Sequence, residues 1–537
     1  MKTGSRKSRA AREGTTRSWS RALAARVMPL DGTDDSLARW IVPAVLIGVV
    51  AGAGAAALFG LLHLCTGWLL ESVAGYWPYR TSADGGFRTM DDSVRPWAVP
   101  LVAAGGALVA TVFALWLAPE ARGHGTDAAI AAAHHDPTGM RGRVTVVKLV
   151  ASALTIGSGG SGGTEGPAAQ ISAAFGSVIA RRTGMSRQQA RTALVIGLAA
   201  GVGAIFDAPF GGALLGAELL YRRSIDARVL PKAVIAAVAG WLVFGACYGF
   251  APVLGRPEGG VGGAGGLLLV VLVGFAAGGA GRLYTACFYL VHTRVGERAR
   301  RLSARIAAPT LAALLVGGLG LLVPGVLGTG YGVMEALTSR ELLLGMPLAV
   351  VLALPVAKIA GTALSVGSGG SGGIFGPGMV VGAGVGAAVW RLAEPLGIAP
   401  HSPLVPVAVG MAACLGPVAH APLGVTVMVA EMLGDASLLG PGLLAVLAAS
   451  AVTGGTTLYR SQLDRMENEP GTPPAPPHQA GPASPPTAPQ RPPLLLPPFP
   501  EPGSAPPRDS VAGRPPDPLA VKPPDPLTVK SPDALRD

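Results

Sequence analysis

Long apolar stretches, separated by short polar or glycine-rich segments, fill residues 40–466 of the chain. The clearest lie at 41–64, 98–118, 233–253, 267–280 and 438–453, and most of them approach the roughly 20 residues with which a helix crosses a bilayer. Tilted or half-length helices would escape such a count. The pattern predicts an all-α, polytopic membrane protein.

One 20-residue segment occurs twice along this pattern. Residues 148–167 read KLVASALTIGSGGSGGTEGP, and residues 358–377 read KIAGTALSVGSGGSGGIFGP, with 12 of 20 positions identical. Two further pairs keep the same order: GHGTDAAIAAAHH (123–135) with GTGYGVMEAL (328–337), and DAPFGGALLGAE (207–218) with HAPLGVTVMVAE (420–431). These repeats indicate a duplicated architecture.

The two GSGGSGG segments, 157–163 and 367–373, are here called the first and second hinge. Glycine allows backbone conformations closed to other residues, and the Gly-Pro that follows each hinge places proline in a first helical turn. Each copy therefore predicts an apolar helix, a break and a new helix. The repeat alone leaves its orientation open, although inverted pairs of broken helices are a common transporter plan.

The sequence divides into five predicted parts. Residues 1–39 form a basic, disordered cytoplasmic arm, 40–253 the first membrane repeat, 254–266 a connection, and 267–466 the second membrane repeat with a terminal helix. Residues 467–537 are proline-rich, with PPDPLAVK followed by PPDPLTVK, and we expect them to be disordered. This tail is either a solvated extension or a docking site for an unknown proline-reading partner.

Composition supports the membrane interpretation. Half of the 537 residues are apolar, 14% are charged and the mean hydropathy is +0.47. The net charge of +11 does not indicate nucleic-acid binding, because the basic residues flank the apolar stretches instead of forming an aromatic-studded face. By the positive-inside rule, we expect a multi-pass protein of the plasma (cell inner) membrane with both termini in the cytoplasm.

The residues that follow the hinges differ in chemistry. A helix N-terminus presents unpaired N–H groups and partial positive charge, which suits an anion. After the second hinge, Ile374 and Phe375 offer only backbone amides, whereas Glu165 after the first carries a carboxylate that competes with an anion. Glu165 is thus either a gate or an ordinary capping carboxylate. Lys148 and Lys358 either add positive potential or snorkel to an interface.

Other site classes fit less well. The hinge also matches the GxGxxG nucleotide-binding pattern, but Arg181 and Arg182 stand where its acidic residue is expected. A membrane-bound nucleotide-dependent enzyme is therefore only a remote alternative. The histidines show no metal-ligand spacing. We predict no enzymatic activity, no metal and no cofactor, and we retain His124, inside a GxG turn, as a candidate site residue.

At these positions the chain resembles the CLC family of chloride channels and proton/chloride exchangers. Its GxEGP, GGIFxP and GSGxP motifs and its late tyrosine are similar to GTEGP at 163–167, GGIFGP at 372–377, GHG at 123–125 and Tyr459. The resemblance covers about residues 40–465. The proline-rich tail is unlike the C-terminal regulatory domain pair of some members.

The resemblance implies an inverted-repeat fold of broken and tilted helices, working as a homodimer with one chloride path per subunit, with or without coupled protons. Carried over by motif, Glu165 is the gating glutamate, the amides of Ile374 and Phe375 hold the central anion, and the Tyr459 hydroxyl donates to it. His124 is a further anion contact, and the pathway turns include Gly163, Gly166, Gly372 and Gly373. Transport of another anion, such as fluoride or nitrate, is the alternative.

Three positions depart from the family pattern. His124 replaces the usual serine of GSGxP, and Thr164 stands where arginine is often found. The exchangers' inner proton-relay glutamate would fall at Leu219, after a glutamate, Glu218, that is commonly structural. Leucine cannot relay a proton, so both a channel and an exchanger with another internal route stay open.

Overall fold

The computed structural model describes residues 36–466, apart from 83–92, 297 and 300. Nearly all of the predicted basic arm and the whole predicted proline-rich tail lie outside the described residues. Within the described residues the chain is helical, and β-pairing is limited to three isolated bridges. The all-α prediction is confirmed.

The helices of the first half surround the first hinge. They are α1 (Leu37–Thr66, continued by a π-helical segment Gly67–Ala74), α2 (Ala98–Leu117), α3 (Thr126–His135), α4 (Gly142–Gly157), α5 (Glu165–Thr183), α6 (Arg187–Ile205), α7 (Pro209–Glu218) and α8 (Leu230–Tyr248). The first hinge separates α4 from α5, as predicted from its glycines.

The second half repeats this order around the second hinge. Its helices are α9 (Gly263–Val291), α10 (Leu302–Leu322), α11 (Tyr331–Thr338), α12 (Arg340–Gly345), α13 (Leu348–Thr362, continued by Ala363–Gly367), α14 (Phe375–Ala393), α15 (Leu404–Ala419), α16 (Pro422–Met432) and α17 (Leu439–Thr453). By order and motif, α4, α5 and α7 correspond to α13, α14 and α16, and the short α3 corresponds to α11.

Two corresponding helices, α7 and α16, show how the halves are oriented. Glu218 at the end of α7 accepts hydrogen bonds from the amides of Leu423 and Gly424 at the start of α16, at 3.2 and 2.7 Å. Glu431 near the end of α16 accepts from the amides of Phe210 and Gly211 at the start of α7. Each carboxylate caps the other helix, so the pair is antiparallel, as an inverted repeat requires.

Glycine-mediated helix contacts account for much of the high glycine content. A Cβ on Gly52 of α1 would lie 2.3 Å from the carbonyl oxygen of Gly240 in α8. In the second half, a Cβ on Gly382 of α14 would lie 2.1 Å from the carbonyl oxygen of Gly410 in α15. Both approaches exclude any side chain, so small residues set the close packing of these helices.

Eight helices of the described residues are long and apolar enough to cross a membrane, and each of the five predicted stretches overlaps one of them. The predicted stretch 233–253 runs past the end of α8, which is at Tyr248. Two other helices begin earlier than the predicted repeats. The first helix begins at Leu37 instead of residue 40, and α9 begins at Gly263 instead of 267. Glycine lowers helix propensity, which made 263–266 look like part of the connection, yet these residues extend the helix.

Candidate anion site

The two hinges contact each other directly. The amide of Gly163 donates to the carbonyl of Gly373 at 2.9 Å, and the amide of Gly373 donates back to Gly163 at 2.7 Å. Gly159 and Gly369, the third residues of the two hinges, have φ of 111° and 110°, a region that L side chains rarely adopt. The repeated glycines therefore give both copies the same turn and let the turns pair.

The short GxG turns lock onto the hinge of the opposite half. The amide of Gly123 donates to Gly370 at 3.1 Å, and its carbonyl accepts from Gly372 at 3.4 Å. In the other half, the carbonyl of Gly328 accepts from the amide of Gly162 at 3.3 Å. Four chain breaks thus meet at one place, where several helix termini converge.

Glu165 is buried at this meeting point as the first residue of α5. Its Oε1 accepts a hydrogen bond from the amide of Phe375, the first residue of α14, at 2.8 Å. Its Oε2 accepts from the hydroxyl of Tyr331, the first residue of α11, at 3.1 Å. The carboxylate of one half therefore lies at the positive helix end of the other half. We call this place the anion position.

The hinge glycines leave room for that carboxylate. A Cβ on either Gly163 or Gly373 would lie 2.1 Å from an oxygen of Glu165. Gly166 is needed for another approach, because its Cβ would lie 2.1 Å from the carbonyl oxygen of His124. Gly372 is less constrained, because a Cβ there would come no closer than 3.4 Å to another residue, at Cγ2 of Val366. All four predicted pathway glycines thus lie close together, but they differ in how strictly glycine is required.

A cavity of about 10 Å³ lies beside the carboxylate. Its walls are Thr126, Glu165, Val202, Leu215, Leu219, Phe375 and Tyr459. The buried hydroxyl of Tyr459 has no hydrogen-bond partner among the described residues. The cavity has room for about one water-sized sphere, so no hydrated anion fits while Glu165 keeps this position.

His124 lies next to the cavity instead of lining it. Its ring centroid is 5.8 Å from that of Tyr459 and 5.7 Å from that of Phe288, and its buried Nδ1 has no hydrogen-bond partner among the described residues. Thr126, two residues further along, lines the cavity. The role of His124 as an anion contact stays a prediction, as do the predicted roles of Glu165, Tyr459, Ile374 and Phe375.

Lys148 and Lys358 have equivalent contacts in the two halves. The ammonium of Lys148 donates to the carbonyls of Ala121 and Gly123, at 3.1 and 2.6 Å. That of Lys358 donates to Val326 and Gly328, both at 3.0 Å. Both side chains are fully buried, so neither reaches an interface. Each holds the carbonyl side of a GxG turn while leaving a positive charge near the anion position.

Leu219 and Glu218 have separate places in the structure. Leu219 is buried and lines the cavity, whereas Glu218 caps α16 as described above. The position at which the resemblance predicts the exchangers' inner proton-relay glutamate, Leu219, is thus an apolar part of the cavity wall.

Two residues at the site, Tyr331 and Thr126, were missed by the sequence reasoning. They hold equivalent places, because each begins a short helix directly after a GxG turn, GHG before Thr126 and GTG before Tyr331. The pairing of these turns in the repeat was the available signal. It did not show that either side chain would reach Glu165 or its cavity.

The sequence matches the family described as voltage gated chloride channel over residues 105–454. It is 30% identical over 331 residues to the voltage-gated ClC-type chloride channel ClcB of Shigella flexneri, covering 60% of this chain and 75% of that protein. It is 28% identical over 436 residues to the protein of the same description from Escherichia coli O81 (strain ED1a), covering 80% and 98%.

Two solved structures share the fold. A slow cyanobacterial Cl⁻/H⁺ antiporter superposes with a TM-score of 0.66 at 21% identity, covering 78% of this chain and 96% of that one. A CLC-type fluoride/proton antiporter gives a TM-score of 0.64 at 19% identity, covering 81% and 100%.

Proposed function

Because the chain belongs to the voltage gated chloride channel family, we propose that it transports chloride across a membrane along a path closed by Glu165. The observation that carries this proposal is the hydrogen bond from the Phe375 amide to Glu165 Oε1. A carboxylate held by the N-terminal amide of a helix occupies a position suited to any small anion.

The proposed gate depends on the charge of Glu165. An ionised carboxylate is attracted to the positive end of α14 and accepts the hydrogen bonds of Phe375 and Tyr331. Protonation removes that charge, so the side chain loses most of its attraction and leaves the anion position. Chloride then binds to the amide of Phe375 in its place. Flux should consequently rise as the pH falls.

The neighbouring residues take the other proposed roles. The amides of Ile374 and Phe375 hold the central anion, and the unpartnered Tyr459 hydroxyl supplies a donor from the cavity side. His124 supports this inner contact through its place beside Tyr459. The buried ammonium groups of Lys148 and Lys358 make the surroundings more favourable for an anion. Gly163, Gly166, Gly372 and Gly373 shape the turns along the path.

The protein is a multi-pass membrane protein. We propose that it is a homodimer of the plasma (cell inner) membrane with both termini in the cytoplasm, as the family resemblance and the basic flanking segments imply. Its five predicted parts, from the basic arm to the proline-rich tail, remain our domain proposal. Cross-linking in native membranes tests the dimer, and protease accessibility of tagged termini tests the orientation.

The family consists of channels and transporters, and we propose that this member has no enzymatic activity and needs no cofactor. Purified protein should accordingly show no flavin or nicotinamide absorbance. A retained chromophore would revive the nucleotide-dependent alternative that the GxGxxG pattern raised.

Reconstitution into liposomes, with chloride and pH electrodes recorded together, tests the function. We expect chloride efflux that accelerates at acidic pH. A chloride gradient that drives protons uphill identifies an exchanger despite Leu219, whereas efflux without proton movement identifies a channel. Competition among chloride, fluoride and nitrate tests the anion, and a path that carries fluoride or nitrate but excludes chloride contradicts the proposal.

A further inference from the structure

Tyr331 is the one side chain among the described residues that hydrogen-bonds to Glu165. It begins α11 directly after Gly330, whose φ of +84° turns the chain into the helix. The ring is buried, and its hydroxyl lies 3.1 Å from Oε2 of Glu165 and 3.3 Å from Oγ1 of Thr164. None of the motifs discussed above assigns a role to this residue.

The directions of these two hydrogen bonds follow from the chemistry of the groups. An ionised carboxylate only accepts, so the single hydroxyl proton of Tyr331 points to Glu165. The oxygen of Tyr331 is then an acceptor, and Thr164 donates to it. The result is a short chain of donors that runs from Thr164 through Tyr331 to Glu165, and it ends on the charged form of the carboxylate.

Tyr331 also lines a larger cavity that Glu165 does not border. The walls of this cavity, which has a volume of about 60 Å³, include Thr164, Tyr331 and Tyr248. Thr126, the equivalent of Tyr331 in the other half, lines the small cavity on which Glu165 also borders. Glu165 therefore borders the small cavity, whereas Tyr331, which binds its carboxylate, borders the larger one.

Resting on the proposed gating function, we propose that Tyr331 is a positioning residue that holds the ionised Glu165 carboxylate in the anion position and thereby sets the pH at which the path opens. Thr164 orients the Tyr331 hydroxyl for this contact. Both residues stabilise the closed state only while Glu165 is charged, because a neutral carboxyl group accepts such hydrogen bonds less strongly.

Other titratable groups surround Glu165 but do not replace this contact. Lys148 of α4, Lys358 of α13, Tyr284 of α9 and Tyr459 all interact with its charge. The two ammonium groups donate to backbone carbonyls, and the Tyr284 hydroxyl donates to the carbonyl of Ile374 at 2.6 Å. They change the electrostatic potential at Glu165, whereas Tyr331 is the titratable side chain among the described residues that hydrogen-bonds to its carboxylate.

Tyr331→Phe removes the hydroxyl and keeps the ring. A hydrogen bond to a charged group favours the charged form, so its loss makes protonation of Glu165 easier, and the pH of half-maximal chloride flux should rise by about one pH unit. At neutral pH this corresponds to a several-fold faster efflux. Thr164→Val removes the second donor at nearly constant volume and should shift the midpoint in the same direction by a smaller amount.

Tyr248→Phe is the matched control. It removes a tyrosine hydroxyl from the wall of the same larger cavity, but that hydroxyl donates to the carbonyl of Ala56 at 3.1 Å. Its midpoint should equal that of the native protein. If Tyr331→Phe does not yield folded protein, the test is the change in the pH of half-maximal flux that Thr164→Val causes relative to Tyr248→Phe. No change in that pH would then refute the proposal.

The Glu165→Gln protein separates this inference from the function on which it rests. We expect Glu165→Gln to remove the pH dependence, and the double variant Glu165→Gln/Tyr331→Phe to be equally independent of pH. A midpoint unchanged in Tyr331→Phe, in a protein whose pH dependence Glu165→Gln does remove, refutes the positioning role and leaves the gate intact. If Glu165→Gln keeps its pH dependence, the gate itself is refuted and the role of Tyr331 with it.

Discussion

Alanine at position 373 is the most local perturbation of the anion position that the chain offers. A Cβ on Gly373 would lie 2.1 Å from Oε1 of Glu165 and 2.9 Å from the carbonyl oxygen of Gly163. Non-bonded heavy atoms are comfortable at about 3.5 Å, so the occupant of the anion position has to move by more than about 1 Å. In our account that occupant is either the Glu165 carboxylate or chloride.

A displacement of this size breaks the occupant's hydrogen bond to the amide of Phe375, which measures 2.8 Å for Glu165. Hydrogen bonds to charged groups contribute about 1.5–3 kcal/mol, or a factor of about 10 to 100 in occupancy. We therefore expect Gly373→Ala to lower chloride affinity at least about tenfold, to reduce flux similarly and to flatten its pH dependence. Chloride calorimetry and liposome efflux at several pH values measure these effects.

Gly372→Ala supplies the control within the same hinge. Its Cβ would lie 3.4 Å from Cγ2 of Val366 and 3.5 Å from the Cα of Gly162, which are ordinary contacts. Both exchanges add one methyl group at neighbouring positions, and only one reaches Glu165. Native-like affinity and pH profile in Gly373→Ala, or equal losses in both variants, would refute the assignment of the anion position.

Four further outcomes follow from the contacts described above. Glu431→Ala leaves two amides of α7 without an acceptor, so it should cost about 1–3 kcal/mol of stability, seen as a lower melting temperature in detergent, whereas alanine at the exposed Glu341 should change little. Lys358→Met removes a buried positive charge and should weaken chloride binding several-fold, as measured by calorimetry. An unchanged affinity would show that Lys358 only stabilises the GxG turn. Tyr459→Phe should weaken chloride binding about fivefold with little loss of stability, because its hydroxyl has no other partner among the described residues, and native-like affinity would remove it from the site. Deletion of residues 470–537 should leave flux unchanged, and a loss of flux would show that the tail is needed for transport.

The repeat made much of the architecture predictable. Two hinges with identical letters had to form similar turns, and their glycines with the following Gly-Pro indicated broken helices before any contact was known. The long apolar stretches marked five of the helices suited to spanning a membrane. Helices such as α4 and α7 are too short for that test, and α6 begins with RQQAR, so hydropathy did not mark any of the three as a span.

The site was predictable as far as it depended on the repeated segments themselves. Glu165 stands at a helix start after a hinge, and the second copy offers amides at the same place, so their competition could be inferred from sequence. Tyr331 lies 166 residues from Glu165 along the chain, and local sequence patterns do not predict contacts between residues so far apart. In the GHG turn the sequence pointed to His124 as the candidate, whereas in the structure Thr126 lines the cavity and the His124 ring lies next to it.

The central claim is that an ionised Glu165 occupies the position through which chloride must pass. Its most direct test is chloride efflux from liposomes containing Glu165→Gln, recorded across acidic and neutral pH beside the native protein. Glutamine keeps the size of the side chain and cannot ionise, so we predict efflux at neutral pH as fast as the native protein reaches in acid, with no remaining pH dependence. Efflux that still accelerates on acidification as it does in the native protein would contradict the account.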